Sequence, residues 1–454
     1  MSEHIRIRRG LDIPLTGEAQ QYVAKSLTAG IIAMRTSDFR GLRAAALVSE
    51  GEQVITGQPV FCDSSRREVV FCSPVCGIVT GLSRGDDGVL SEVRISSEGP
   101  CDGVRFAIPR LSGLKREDII DLMLRGGMWP CIRQRPFGII ADPGKIPYSI
   151  FISAFSSAPL APDMDYALAE DMDDIQYGID ILSRLTRGGI HLCLPVKNFA
   201  GTDFHKLRGV VKHSIYGPHP AGNVGVQINR ISPLSQGDII WTIDLFHVAA
   251  IGRFFQRGRY DMHRLVAVVG PAALNPSYID CVPGAAMADM EDHFDRWQGG
   301  LRVISGDVLS GRNVGRNGYL GFYDNMVTVI REGEGRETFG WARPLRFDKF
   351  SSTRSYLSRL LGSHKFDMDT LLNGSVRPVM LADAYSRVFP MDIYPVELFK
   401  AILAGDVDRM EKLGISEVVE EDVALCEYVC PSKIELQAIV TRGIDLMLEH
   451  DKQL

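Results

Sequence analysis

Between residues 47 and 79 the chain never runs more than a few apolar residues before glycine or proline interrupts it. Val54-Ile55 precede Thr56-Gly57, Val60-Phe61 follow Pro59, Val69-Val70-Phe71 precede Ser73-Pro74, and Ile78-Val79 follow Gly77. Such a segment cannot propagate as helix, because proline removes a backbone donor and glycine is a poor helix former. Short strands joined by tight turns are the alternative. With 45 Gly and 23 Pro, the composition extends this preference for β-structure and defined turns beyond the segment itself. Residues 1–110 therefore read as a β-rich, barrel-sandwich-like domain whose two halves meet at a polar tip, Asp63-Ser64-Ser65-Arg66-Arg67-Glu68.

The remaining 344 of 454 residues are long enough for several further cores. Residues 111–260 mix helix and strand. Ser112 is placed to cap a helix through Ile119, Leu122 and Met123 that ends at Gly126-Gly127. Apolar strands are expected at 148–154 and 190–195. Between them, Glu170-Asp171-Met172-Asp173-Asp174 heads a helical pattern of Ile175, Ile179, Leu182 and Leu185. This β-α-β order predicts an α/β layer. The prolines of Gly217-Pro-His-Pro-Ala-Gly222 predict a sharp loop entering a strand at 226–231. Residues 261–335 are strand-rich, with strands expected at 264–269, 302–305 and 326–330. Residues 336–454 comprise a basic, Ser-rich linker at 343–365, read as exposed, and a helical end with a final helix at about 432–449. The chain is thus α+β and multidomain.

Composition and motifs exclude several functions. A net charge of -6 opposes nucleic-acid binding, which calls for a basic field. No apolar run reaches the ~18 residues of a membrane span, and the start carries no secretory pattern. Nine scattered cysteines fit a reducing compartment rather than a disulfide framework, with Cys72, Cys76, Cys426 and Cys430 read as small buried thiols. Neither close cysteine pair has the further ligands that zinc or a four-iron cluster needs. P-loop, GxGxxG, GxSxG and HExxH motifs are missing. His213, His219 and His247 stand alone and read as structural.

The pattern E-G-E-x-V-x-x-G-Q-P-V followed by S-P-V-x-G-x-V resembles the half-motifs of biotinyl and lipoyl carrier barrels. The fold is taken from that resemblance and the carrier role is not, because the 63–68 tip holds no lysine to acylate. Over a longer reach, several stretches together resemble the NqrA family, one of the subunits of the sodium-translocating NADH:quinone reductases. They are Ile7-Arg-Arg-Gly10-Leu-Asp-Ile-Pro-Leu15, Gly217-Pro-His-Pro-Ala-Gly222, Val303-Ile-Ser-Gly306-Asp-Val-Leu-Ser-Gly311 and Leu425-Cys426-Glu-Tyr-Val-Cys430-Pro431.

The resemblance implies a carrier-like barrel, a Rossmann-like α/β domain, a small β-grasp (SLBB-like) domain and a C-terminal helical domain. It implies a peripheral subunit on the cytoplasmic side of the bacterial inner membrane. Its partners would be the other subunits, chiefly a membrane-embedded one, which handle NADH, flavins, iron–sulfur centres and sodium. The family is related to flavin-carrying subunits of complex I and the Rnf complex. Here the corresponding Gly-rich loop is Gly126-Gly127-Met128-Trp129-Pro130-Cys131, whose large side chains should block a flavin, and Cys426 and Cys430 resemble a cluster motif's remnant.

The expectation is a chain without flavin or iron–sulfur centre and without a self-contained catalytic site, with quinone as its candidate substrate. By position the resemblance implies two quinone-proximal loops, with Phe39, Arg40, Leu42 and Arg43 on one and Arg133, Arg135 and Phe137 on the other. Aromatic and apolar groups hold a quinone ring, and arginines can bond its carbonyls. The same arginines also suit an acidic partner surface. The alternative is an independent soluble flavin- or NADH-dependent oxidoreductase, for which no nucleotide site is visible.

Overall fold

A computed structural model describes residues 4–27, 30–99, 101–196, 201–235, 237–296, 300–333, 346–352, 356–362, 364–372 and 375–451. The Gly/Pro-punctuated segment forms antiparallel strands in the order Gln53–Val54, Cys76–Arg84, Leu90–Gly99, Ala44–Ala46, Pro59–Asp63 and Val70–Cys72. The strand Ile31–Arg35 also pairs with Leu90–Gly99. Inward-facing Val54, Val60, Phe61, Phe71, Val79, Val93 and Ile95 fill the core. At the polar tip, the Asp63 carboxylate accepts hydrogen bonds from the Ser65 N–H (2.9 Å) and the Arg66 Nε–H (3.2 Å).

The second sheet runs His4–Arg6, Val210–Tyr216, Ile190–Pro195, Ser149–Ser153, Ile240–Thr242, Arg133–Arg135, Ile139–Ile140. Its first five strands are mutually parallel and its last two antiparallel. From Ser149–Ser153 the chain moves outward through two strands, then returns to place Ile240–Thr242 on the other side. The topology therefore switches direction between Ser149–Ser153 and Ile240–Thr242. Helices Met172–Leu182 and Leu245–Arg257 pack tightly against each other. A Cβ on Gly252 would lie 1.8 Å from the Asp174 carbonyl oxygen, so only glycine allows this approach.

The third sheet runs Arg312–Asn313, Leu301–Ser305, Met326–Arg331, Arg264–Val269, Ser277–Cys281, Val23–Ser26. The opening residues thus pair with both neighbouring sheets, His4–Arg6 with one and Val23–Ser26 with the other, before the chain enters the barrel at Ile31–Arg35. Helices Pro395–Ala404, Val407–Lys412, Glu420–Val429 and Leu436–Asp451 follow, packed around Phe399, Ile402, Leu425, Val440 and Ile444. Of the linker at 343–365, Phe347 and Leu360 are exposed and Ser358 is buried, while 343–345, 353–355 and 363 lie outside the described residues. Among the described residues no helix is long and apolar enough to cross a membrane.

Three local expectations are corrected. Residues 226–231 belong to a helix, Val224–Ile231, because burial of Val226 and Ile228 against the sheet outweighs the strand preference of β-branched residues. The helix Arg116–Arg125 is capped at Lys115, whose backbone N–H donates to the Asp118 carboxylate at 2.9 Å; Ser112 lies in the preceding 3-10 turn. Cys76 is bonded to Cys101, which the sequence spacing of 25 did not reveal. The other seven cysteines are buried thiols.

Candidate functional site

The two arginine-bearing loops face one cleft of about 650 Å³. One wall is the turn after strand Ile31–Arg35, contributing residues 36–42. A second is strand Arg133–Arg135 with Gly138 and Ile140. The third sheet supplies Ser310, Arg312, Tyr323 and Asp324, and the C-terminal helices supply Val419, Glu420, Glu421, Thr441 and Asp445. All units of the chain therefore meet here, and the lining is largely polar.

Most of the arginines are already committed. Arg40 donates to the Phe137 carbonyl at 2.8 Å and pairs with Glu420, which also accepts from the Thr441 hydroxyl at 2.7 Å. Burial would raise the Glu420 pKa, yet the Arg40 hydrogen bond and charge hold it below the usual glutamate range. Arg135 is buried and reaches Glu421 at 3.1 Å and Asp422 at 3.4 Å. Burial pushes the Asp422 carboxyl up to about 6 against the pull of Arg135. Arg312 bonds Asp38 at 3.1 Å, and the second Asp38 oxygen accepts the Phe322 N–H at 3.0 Å.

Arg133 differs from the rest. Its guanidinium lies 4.8 Å from the centroid of the Tyr323 ring, and it makes no ion pair with any described residue. The Tyr323 hydroxyl donates to the Pro130 carbonyl at 2.7 Å, which fixes the ring beneath the cation. A half-buried guanidinium held over an aromatic face keeps its N–H groups for an acceptor from outside the chain.

The other expected positions are distributed unevenly. Phe39 lines the cleft from a buried aromatic cluster, meeting Phe71 edge-on (4.6 Å) and Phe322 at a tilt (4.9 Å), and Leu42 lines it half-buried. Arg43 is exposed and outside the lining. Phe137, at φ 78°, turns its ring into the helical core, and Gly138 lines the cleft in its place. Cys426 and Cys430 are buried among the C-terminal helices, with the Cys430 sulfur 3.0 Å from the Tyr385 hydroxyl. Burial pushes the Cys426 thiol well up. Among the described residues no group of three or more His, Cys, Asp or Glu could hold a metal ion.

The Gly-rich loop is filled by its own side chains. Met128, Trp129 and Cys131 are buried, and the Trp129 indole donates to the Ala141 carbonyl at 2.8 Å and meets Trp241 edge-on at 5.5 Å. Gly127 lies so close to Cys72 that an added Cβ would sit 2.6 Å from its sulfur.

Sequence reasoning missed Glu420, Glu421, Asp422 and Tyr323. The three consecutive acids at the start of helix Glu420–Val429 read locally as helix-dipole partners. Their ion-pair partners lie 286 or more residues away, beyond any local signal.

Family profiles match three parts of the chain: an NqrA N-terminal barrel-sandwich hybrid domain at residues 5–98, an NqrA second alpha/beta domain at 114–260 and an NQRA C-terminal domain at 265–316. Among curated proteins, the NqrA subunit of the Na(+)-translocating NADH-quinone reductase of Rhodopirellula baltica is 36% identical, covering 97% of both chains. The same subunit of Serratia proteamaculans is 37% identical over 98% of this chain and 100% of that one. That of Neisseria meningitidis is 35% identical over 97% and 98%. Among solved structures, an air-oxidized NAD+-reducing NiFe-hydrogenase aligns with 12% identity and TM-score 0.39 over 73% of this chain and 64% of that one, too distant to support any argument.

Proposed function

Since the chain belongs to the NqrA family of Na(+)-translocating NADH-quinone reductase subunits, we propose that it is a cofactor-free, peripheral subunit of such a complex and contributes part of its quinone site. In this reading the sheet of residues 149–242 is Rossmann-like and the C-terminal helices form a domain of their own. The subunit sits on the cytoplasmic side of the inner membrane, docked on a membrane-embedded partner. Other subunits carry flavins and iron–sulfur centres, oxidise NADH and move sodium. The packed Met128–Trp129 loop supports the absence of a flavin, since the space such a group needs is occupied by side chains.

The observation that carries the quinone role is the convergence of both arginine loops on one cleft with Arg133 as its uncommitted cation. Arg40 and Arg135 hold the helical end in place and so build the cleft wall. Phe39 and Leu42 offer apolar surface, and Arg133 donates to a ring carbonyl. A hydrogen bond from a charged donor contributes about 1.5–3 kcal/mol, so Arg133→Gln should raise the quinone KM of the assembled complex by roughly 10- to 100-fold. NADH oxidation with an artificial acceptor upstream should be unchanged. Normal quinone KM in a complex depleted of this subunit would instead make Arg133 a docking residue. A stoichiometric flavin absorbance band in the purified chain would favour an independent flavin-dependent oxidoreductase.

A further inference from the structure

The helical end carries an outer surface that the cleft does not use. Residues 375–379 are all exposed, and Val376 (75% exposed), Val379 (53%) and Leu381 (47%) turn apolar side chains to solvent. The segment is anchored by its neighbours. The Arg377 N–H donates to the Ser432 carbonyl at 2.9 Å, and Met380 packs against the helical core. The Leu381 carbonyl accepts the Ala384 N–H at 3.1 Å, at the start of the short helix Ala382–Ser386. Large apolar side chains exposed on neighbouring positions mark a contact with a protein or a membrane.

The opening strand brings basic residues to the same surface. The Ile7 N–H donates to the Tyr216 carbonyl at 2.7 Å, and the Gly10 N–H to the Arg387 carbonyl at 3.2 Å. Arg8 and Arg9 therefore lie between the edge of the second sheet and the end of the helix Ala382–Ser386. Arg8, Arg9, Arg377 and Arg387 are exposed, and none makes an ion pair with a described residue. Residues 4–11, 375–387 and 431–435 together hold six Lys or Arg against two acids, Asp383 and Glu435, in a chain whose net charge is -6.

The mixing of charge with apolar surface decides between the two kinds of contact. A protein interface depletes its centre of charge and keeps polar groups at the rim. Here Arg377 stands between Val376 and Val379, with Arg387 just beyond Leu381 and its short helix. An anionic bilayer places phosphates directly above acyl chains, so guanidiniums and apolar side chains are satisfied together at its boundary.

We propose that this surface is a contact site for anionic phospholipid. Val376, Val379 and Leu381 enter the headgroup boundary, and Arg8, Arg9, Arg377 and Arg387 bind the phosphates. The contact is independent of the quinone role and additional to docking on a membrane-embedded subunit.

Co-sedimentation of the full chain with vesicles tests this. Vesicles of phosphatidylglycerol and phosphatidylcholine in equal parts should bind the chain at low salt and release it at high salt, and phosphatidylcholine alone should not bind it. Replacing Arg8 and Arg9 together by Gln should weaken partition about 25-fold, roughly fivefold for each arginine. Val379→Asp, at an exposed position, should leave the Tm unchanged and weaken partition roughly tenfold. Arg67→Gln, which removes an equally exposed arginine at the barrel tip, should bind as the wild type does. Equal binding to both vesicle types, undiminished binding in the Arg8/Arg9 or Val379 variant, or a matching loss in Arg67→Gln would overturn the proposal. Failure of the wild type to bind either vesicle, with the Arg8/Arg9 variant no longer co-purifying with the membrane subunits, would overturn it in favour of a protein partner.

Discussion

Arg135→Met should release the C-terminal helices from the rest of the molecule, and should do so in a pH-dependent way. The Asp422 side chain is 0% exposed and Arg135 is 4% exposed, so removal of the guanidinium leaves a carboxylate with no solvent and no counter-charge. Breaking a buried pair from one side costs about 3–5 kcal/mol. Asp422 can limit that cost by taking a proton. From an unfolded pKa near 3.9, protonation at pH 7 costs about 4 kcal/mol at roughly 1.4 kcal/mol per pH unit, which matches the same range. The sign follows from burial. A carboxyl whose folded pKa is raised stabilises the fold most below its unfolded pKa, and that contribution is lost as pH rises to the folded value.

In the wild type this loss ends near pH 6, where the Asp422 carboxyl sits. In the variant the pKa lies higher and the loss continues to higher pH. Hydrogen exchange of the amides in helix Glu420–Val429 reads this locally, without assuming two-state unfolding of the whole chain. Between pH 6 and 8, opening energies should fall with pH more steeply in the variant than in the wild type. Asp422→Asn in the variant background should remove the excess slope. A loss below about 1 kcal/mol at pH 7, or equal slopes in both proteins, would refute the argument.

Gly127→Ala should lower the Tm of the chain, because φ is 67° and the new Cβ would meet the Cys72 sulfur at 2.6 Å; overpacking of this kind costs about 1–3 kcal/mol, and an unchanged Tm would contradict the packing described. Tyr323→Leu should weaken quinone binding severalfold by removing the ring under Arg133, worth about 0.5–2 kcal/mol, whereas Tyr323→Phe should bind nearly as the wild type does. The seven free thiols are buried, with Cys281 pushed up to about 12 by burial, so at pH 8 a thiol reagent should react with them only as the chain unfolds; rapid titration of any of them in the native chain would contradict their placement.

Much of the fold was legible where local and tertiary preferences agree. The apolar runs Ile190–Pro195 and Arg264–Val269 are strands as their sequences suggest, since both are buried in the middle of sheets and need no alternation. Residues 226–231 misled for the same reason: valine and isoleucine favour strands, but position on the sheet face decided for helix. At the site, Arg133 and Arg135 stand two apart on one short strand and nothing local separates them. Their roles diverge because one meets Asp422 and the other meets Tyr323, partners 287 and 190 positions further along the chain.

The most direct test of quinone binding on this chain is a structure of the assembled complex with a short-chain quinone bound. Binding on this chain predicts ring density in the cleft at residues 36–42 and 133–140, with one carbonyl within hydrogen-bond distance of Arg133. Ring density held wholly within a membrane-embedded partner, with the cleft at residues 36–42 and 133–140 covered by that partner, would contradict it.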